Sequence, residues 1–399
     1  MDSDVKNFIV NVVAKNIKEK DHKEHFHFGR AKVPYDVYID KFGNRYIETS
    51  DNSFHLLFLK HDGFTAKWGK TIDEDPAYCP VGNEIADIEI TKMCRGIRDK
   101  EGKRVPCPWC YKSNTPNGSY MSFETFRQIF YRLDEQKTMT QIAFGVDAEA
   151  SDVLNPDIWK IMDFCNEYNV TPNITVADID EHTAKNLVKR CGAIAVSFYG
   201  LINKERCFNT VKLLLDEAKK INKQMKINIH CLLSKETYDS VFELIDAYKS
   251  DSRLKGMGAI VFLSLKQKGR GEYFNQLTND EFKKIIDTCF ENHISFGMDS
   301  CSAPKFLNAI KGKSNEKELE TYIESCEACQ FSTYIDANGK FYPCSFMEKE
   351  GEWKEGIDMT KIKDFIDDVW YEKRVVDWRN ESIKCIECHG CNKCKFYDV

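Results

Sequence analysis

A chain of 399 residues is long enough for two or three domains, and 42% hydrophobic with 12% aromatic residues excludes a disordered chain. The net charge of −6 excludes a global pull toward nucleic acid or anionic lipid, although it leaves room for a local basic patch. The acidic start "MDSDVKNFIV" lacks the basic-then-apolar order of a signal peptide, and runs such as "GAIVFLSL" are far short of a membrane span, so a cytoplasmic protein is expected.

Residues 1–80 mix helical and strand signals. "KNFIVNVVAKNI" has the pattern of an amphipathic helix, "YDVYIDKFGNRYIE" reads as two strands around a Gly-Asn turn, and "FHLLFLKHDGFTAKWGK" as a second pair around Asp62-Gly63. A small antiparallel α+β appendage is expected there, with a structural or peptide-docking role.

From residue 84 the rhythm changes. The apolar runs "IADIEIT", "TQIAFGV", "VTPNITV", "GAIAVSFYG", "MKINIHCLL" and "GAIVFLSLK" alternate with helical patterns such as "SFETFRQIFYRL" and "NTVKLLLDEAKKI". Six strands with intervening helices predict an α/β protein of parallel βα units, a barrel or part of one, over residues 84–303. In such a barrel the C-terminal ends of the strands carry the chemistry. Beyond Pro304 the pattern breaks down, and residues 304–399 are expected to be loop-rich and shaped by metal more than by an apolar core.

Seventeen cysteines are many for a cytosolic chain, where clustered thiols favour metal sites over disulfides. Cys79, Cys165, Cys191, Cys207, Cys231 and Cys289 stand singly and are read as small buried hydrophobes. The rest crowd into two zones, with Cys301 open. In the first, "MCRGIRDKEGKRVPCPWCY" sets Cys94 after the first strand and Cys107 and Cys110 beyond a twelve-residue gap. Three thiolates suit a four-iron four-sulfur (4Fe-4S) cluster with one iron left open; a zinc knuckle with a fourth ligand is the alternative. The second zone holds seven cysteines: "CEAC" (Cys326, Cys329), "YIDANGKFYPC" ending at Cys344, and "CIECHGCNKC" (Cys385, Cys388, Cys391, Cys394).

The first zone resembles the radical S-adenosylmethionine (SAM) enzymes, in which a C-x3-C-x2-C loop after strand one holds such a cluster and an aromatic residue precedes the third cysteine, as Trp109 does here. The twelve-residue gap departs from that spacing. Nine extra residues cost on the order of 1 kcal/mol in loop closure, which the cluster would offset by tying the loop shut. The resemblance implies a partial (β/α)6 TIM-type barrel over most of residues 84–399. It further implies that Gly145 and Asp147, with Glu149 as fallback, bind the SAM amino group at the end of strand two. The strand-end polar residues Thr175, Ser197, Asn228 and His230 would contact its carboxylate and ribose, and Lys266, Lys268 and Arg270 lie near the same mouth.

Cys329-x9-Gly339-x4-Cys344 resembles the opening of the SPASM extension found on peptide-modifying radical SAM enzymes, and "DANGKFYPC" is a good hairpin sequence. The final ladder is close to the ferredoxin run, in which the fourth cysteine ligates a different cluster. Cys385, Cys388 and Cys391 would then hold one auxiliary cluster, and Cys394 would join Cys326, Cys329 and Cys344 on another. The three-cysteine cluster is one ligand short, with Cys301 or an open iron as candidates, or one auxiliary cluster serves alone; zinc ribbons are the alternative. The resemblance implies reductive cleavage of SAM to a 5′-deoxyadenosyl radical that abstracts hydrogen from a ribosomally made peptide or protein, an oxidoreductase or lyase reaction fed by a flavodoxin or ferredoxin. Other readings are a radical SAM enzyme acting on a small molecule or nucleic acid, a zinc-stabilised nucleic-acid-binding protein, and an electron-transfer scaffold.

Overall fold

The computed structural model describes residues 8–99, 101–148, 155–324 and 326–384, the side chains of 146–148 excepted. An N-terminal antiparallel sheet runs β1 (His22–Phe28), β2 (Tyr35–Asp40), β3 (Arg45–Thr49), β4 (His55–Leu59) and β5 (Phe64–Trp68), paired in that order. Asp40 closes the β2–β3 turn by accepting from the N–H groups of Phe42 (2.8 Å) and Asn44 (2.9 Å). Ile9, Ala14 and Ile17 of the leading helical segment cover one face, against Tyr38, Tyr46, Leu57 and Trp68. Cys79, Val81 and Phe331 cover the other. The hairpins β2–β3 and β4–β5 are those the sequence predicts; β1 is added to them. Its "HKEHFHF" hides a strand because Lys23, His25 and His27 alternate with the half-buried set Glu24, Phe26 and Phe28, of which one is itself charged.

The main sheet begins with β6 (Ile85–Ile88). A two-stranded hairpin, β7 (Ile97–Arg98) and β8 (Arg104–Val105), follows. Then come β9 (Gln141–Ala148), β10 (Thr171–Val176), β11 (Ala193–Phe198), β12 (Lys226–Leu233), β13 (Ile260–Ser264) and β14 (Phe296–Met298). β6 and β9 to β14 are parallel, each beside its predecessor. The crossovers carry helices α1 (Phe123–Asp134), α2 (Ile158–Glu167), α3 (Glu181–Arg190), α4 (Lys204–Lys220), α5 (Tyr238–Ser250) and α6 (Asn279–Glu291). α6 starts on a capping box, in which Thr278 and Glu281 satisfy each other's backbone N–H.

Along β12 the residues alternate between fully buried (Ile227, Ile229, Cys231, Leu233) and half-buried (Asn228, His230, Leu232). The first set joins the large core cluster and the second lines the barrel interior. The singly placed Cys79, Cys165, Cys191, Cys207, Cys231 and Cys289 are all buried, as small hydrophobes would be. β14, a seventh parallel strand, is not among the six the sequence predicts: three residues are too few to show alternation.

Beyond helix α7 (Ala303–Ile310), β15 (Ser332–Ile335) joins the same sheet beside β6, in parallel, and β16 (Lys340–Tyr342) and β17 (Ile357–Asp358) continue it antiparallel. The expectation of a weak apolar core does not hold for this part. Phe341, Trp353, Phe365, Trp370 and Trp378 pack into the same core as the barrel. Their irregular spacing gives no periodic signal. Among the described residues no helix is long and apolar enough to cross a membrane.

Candidate active site at the barrel mouth

Cys94 leaves the sheet just past β6, at the strand ends that form the mouth. The long gap before Cys107 is the β7–β8 hairpin, with Ile97 opposite Val105. Gly96 sits at its base with φ +79°, and a Cβ there would lie 1.9 Å from the Val105 carbonyl oxygen. The two ends of the excursion therefore meet through backbone pairing alone. This corrects the expectation that a cluster ties the loop shut: the Ile97–Val105 pairing closes the excursion by backbone contacts. The Sγ of Cys94 accepts from Gly96 N–H at 3.2 Å, and Cys110 N–H reaches the Cys107 carbonyl at 3.3 Å.

All three thiols lie within electrostatic reach of one phenol. Tyr199, just past β11, has its hydroxyl pushed well above its ordinary value, first by burial and then by Cys107, Cys110 and Cys94. Burial also pushes the Cys107 thiol up to about 12, so without metal it stays protonated at neutral pH. Trp109 wedges between two strand-end loops, its ring 6.0 Å from Tyr199 and 5.2 Å from Phe274. The indole Nε1 is buried without a partner among the described residues.

The loop after β13 clamps this cysteine loop. Arg270 Nε donates to the Cys107 carbonyl at 2.8 Å, and its backbone N–H to that of Cys110 at 3.1 Å. Gly269, at φ +57°, comes so close that a Cβ would stand 2.5 Å from Tyr111 O and 2.8 Å from Cys110 O. Lys268 donates to the carbonyls of Phe346 (2.7 Å) and Glu348 (2.8 Å), and buried Lys266 pairs with Asp299. These three cations act as structural clamps.

A buried charge network holds the other flank. Lys92 and Lys112, on either side of the cysteine loop, meet Glu89, Asp336 and Glu348: Lys92–Asp336 is 3.1 Å, Lys92–Glu348 3.3 Å and Lys112–Glu89 3.3 Å, with Lys112 also paired to Glu348. Tyr334 donates to Glu348 at 3.0 Å. Nothing in the sequence pattern marks these residues, which are scattered over 260 positions and converge only in the fold.

The strand-end candidates divide. Gly145 is exposed with open space around it, and the β9–β10 register slips between Phe144 and Ala148, skipping Gly145 and Asp147. The slip marks an irregularity of the bulge kind at the end of β9. Thr175 Oγ1 lies 3.4 Å from His230 Nδ1, and Ser197 is level with His230 in the β11–β12 register. Burial lowers His230 to about 4, against a weaker opposing pull from Asp299, so its imidazole is neutral at pH 7. Asn228 stands apart from this group. It is the third residue of β12, and its Oδ1 accepts from Ala259 N–H at 3.0 Å at the entry to β13. Glu149 and the Asp147 side chain lie outside the described residues.

Among the described residues, no three His, Cys, Asp or Glu side chains stand at the spacing of a single metal ion. A four-iron cube spreads its sulfurs over separate irons and asks for a wider-set trio. Three thiols within electrostatic reach of one buried phenol, and a buried indole N–H lacking an acceptor among the described residues, fit such a group.

In the second zone, Cys329 precedes β15 and Cys344 follows β16, so both flank the open end of one hairpin. Gly339 takes φ +76° in its turn. Cys329 is buried, and Arg379 Nε donates to its carbonyl at 2.6 Å. Cys326 is partly exposed three residues earlier, and Cys301 lies in the turn after β14. Cys385, Cys388, Cys391 and Cys394 lie outside the described residues.

No family model and no curated protein matches this chain. Solved structures do. Streptococcus suis SuiB bound to its precursor peptide SuiA is similar over 74% of this chain and 66% of SuiB, at 15% identity and TM-score 0.55. SuiB bound to S-adenosylmethionine is similar over 77% of this chain and 69% of SuiB, at 15% identity and TM-score 0.53. This chain thus spans about two thirds of SuiB's length and shares its fold. The partial barrel implied by the cysteine motif is the fold observed.

Proposed function

We propose that this chain is a radical SAM enzyme that modifies a peptide or protein substrate. One observation supports the reading: the three cysteines of a split motif all lie close enough to Tyr199 to act on its charge, in a fold shared with a protein solved with S-adenosylmethionine and with a precursor peptide. Cys94, Cys107 and Cys110 would hold a 4Fe-4S cluster with one iron open to SAM. When bound there, the group supplies one-electron cleavage of the sulfonium, giving methionine and a 5′-deoxyadenosyl radical that takes hydrogen from the substrate.

The chain's own part is binding, orientation and exclusion of water. The β7–β8 base and the Arg270 clamp set the sulfur positions. The bulge at Gly145 leaves room for the cofactor's amino group beside Asp147, and Thr175, Ser197 and neutral His230 form a polar wall for its carboxylate and ribose. Neutral His230 offers one N–H and one acceptor, so it adds no charge beside the sulfonium. Asn228 is the weakest of the proposed contacts because Ala259 already engages it. Residues 1–80, 84–303 and 304–399 would act as docking appendage, barrel and auxiliary-cluster unit. Cys326, Cys329, Cys344, Cys385, Cys388, Cys391 and Cys394 would hold one or two auxiliary clusters, and a flavodoxin or ferredoxin in the cytoplasm would supply electrons.

Anaerobically reconstituted, dithionite-reduced protein should convert SAM to 5′-deoxyadenosine, measured by chromatography. Cys107→Ala should abolish the product. Equal product from Cys107→Ala, or none from a wild-type sample with full iron loading, would reject the reading.

A further inference from the structure

The floor of the barrel, where the parallel strands begin, holds a cavity of about 250 Å³. Gln141, Thr171, Ala193 and Lys226, the first residues of β9 to β12, line it from the barrel side. The β4–β5 turn of the N-terminal sheet lines it from the other side, through Lys60, His61 and Asp62. Lys226 shares its face of β12 with Asn228 and His230, so it stands at the lower end of the inward row that reaches the mouth. The sheet is fixed to this floor through the loop that leads into β9: Arg45 Nη1 donates to Lys137 O at 2.8 Å, and the Tyr35 hydroxyl donates to Gln136 O at 2.9 Å.

Three properties of the cavity point to one kind of occupant. First, neither of its lysines forms an ion pair among the described residues. Asp62, the acid of the lining, is already bonded to His61 at 2.8 Å. Burial pulls Lys60 below its ordinary value, Arg45 and Lys223 push it the same way, and no acid acts against them. Second, the backbone fixes the polarity of the amides in the wall. The Ala193 N–H can only donate, so Asn173 accepts through Oδ1 (2.9 Å) and donates through Nδ2 to Gln141 Oε1 (2.8 Å). The Gln141 amide is thereby left with its NH2, a donor, unpartnered among the described residues. Third, Thr171 Oγ1 is buried in the same wall with no hydrogen-bond partner among the described residues. Gly192 keeps that wall tight, since a Cβ there would stand 2.4 Å from Thr171 Cγ2. The cavity is thus rich in cations and donors and has its one acid already engaged.

We propose that this floor cavity binds a tetrahedral oxyanion of the phosphate class, held between Lys60 on the N-terminal sheet and Gln141 and Lys226 on the barrel. Lysine binds phosphate as a point charge, and a buried cation without a counter-charge is costly until an anion joins it. The donors come from three separate elements, the β4–β5 turn, β9 and β12. An anion with oxygens on every side can meet them all, whereas a planar carboxylate offers two oxygens on one edge. Bound there, the anion joins the N-terminal sheet to the barrel on the side away from the cysteine loop. Neither cluster nor SAM enters the binding, so the proposal stands or falls apart from the function given above.

Full-length protein, dialysed into chloride buffer near neutral pH, is titrated by isothermal calorimetry with sodium phosphate and, separately, with sodium acetate at matched ionic strength. Phosphate should bind saturably at one site, about tenfold or more tightly than acetate. Lys60→Met and Lys226→Met should each weaken phosphate about tenfold, the loss expected for one charge-assisted contact. Gln141→Glu, which sets an acid where the donor stood, should abolish binding. Lys354→Met, at an exposed lysine of the C-terminal extension, should leave it unchanged. If Lys60→Met does not fold, Lys226→Met decides, because Lys226 is exposed and its loss spares the core. Hydrogen exchange at the His61 to Gly63 amides should slow when phosphate is bound. Absence of saturable binding, acetate bound as tightly as phosphate, or wild-type affinity in both Lys226→Met and Gln141→Glu overturns the proposal.

Discussion

At the scale of single residues, the site depends on close approaches that admit no side chain. Gly269 combines a left-handed φ with carbonyl oxygens at 2.5 and 2.8 Å from its missing Cβ, and backbone atoms cannot swing aside. Gly269→Ala therefore carries the left-handed penalty of about 1–2 kcal/mol plus a clash, and it should push the β13 loop off the cysteine loop. Iron bound per chain should fall, as counted by chelator assay, while the circular dichroism of the barrel stays. His230 gives a pH signature. Its folded value is lowered from 6.5 to about 4, so between those values the unfolded chain binds the proton and the folded chain does not. The stability it contributes is complete above about pH 6.5 and is lost as pH falls to 4, by about 3 kcal/mol in all. Urea melts across that window should show a shallower pH slope for His230→Gln than for wild type. The cysteines were legible as a trio because thiols are rare and their C-x2-C spacing is distinctive. Tyr199 was not, since a tyrosine in a loop carries no mark until the fold sets it against the thiols; Arg270 was placed at the mouth, but its clamp on the Cys107 carbonyl was not legible.

At the scale of elements, the β7–β8 hairpin explains how a twelve-residue gap serves a motif that needs its sulfurs close. An antiparallel pair returns the chain to its starting point, so added length beyond the base changes little. Gly96→Val, with the Val105 oxygen 1.9 Å from the new Cβ position, should open that base and carry Cys94 away from Cys107. The expected outcome is loss of SAM-dependent 5′-deoxyadenosine with an unchanged thermal midpoint for the barrel. The strands β9 to β13 were readable as largely apolar runs, because strands covered on both faces carry few polar residues. β1 and β14 escaped notice for opposite reasons: one is an edge strand with polar alternates, the other too short to show a period.

At the scale of the whole molecule, a continuous core joins the barrel to the C-terminal extension, and the Lys92, Lys112, Glu89, Asp336 and Glu348 network crosses the same boundary. With two lysines against three buried acids, removing one cation leaves charges that water cannot reach. Lys112→Met should destabilise the fold by about 3 kcal/mol or more in denaturant titrations, and adding Glu348→Gln should restore part of the loss. The coupling means that the cysteine loop is held by the extension and does not stand alone at the mouth. The most direct test of an open cluster corner there is electron paramagnetic resonance on chain with Cys326, Cys329, Cys344, Cys385, Cys388, Cys391 and Cys394 changed to alanine, reduced with and without SAM. A reduced-cluster signal that shifts when SAM is added is the predicted result. A signal that SAM leaves unchanged, or zinc in place of iron at Cys94, Cys107 and Cys110, would contradict it.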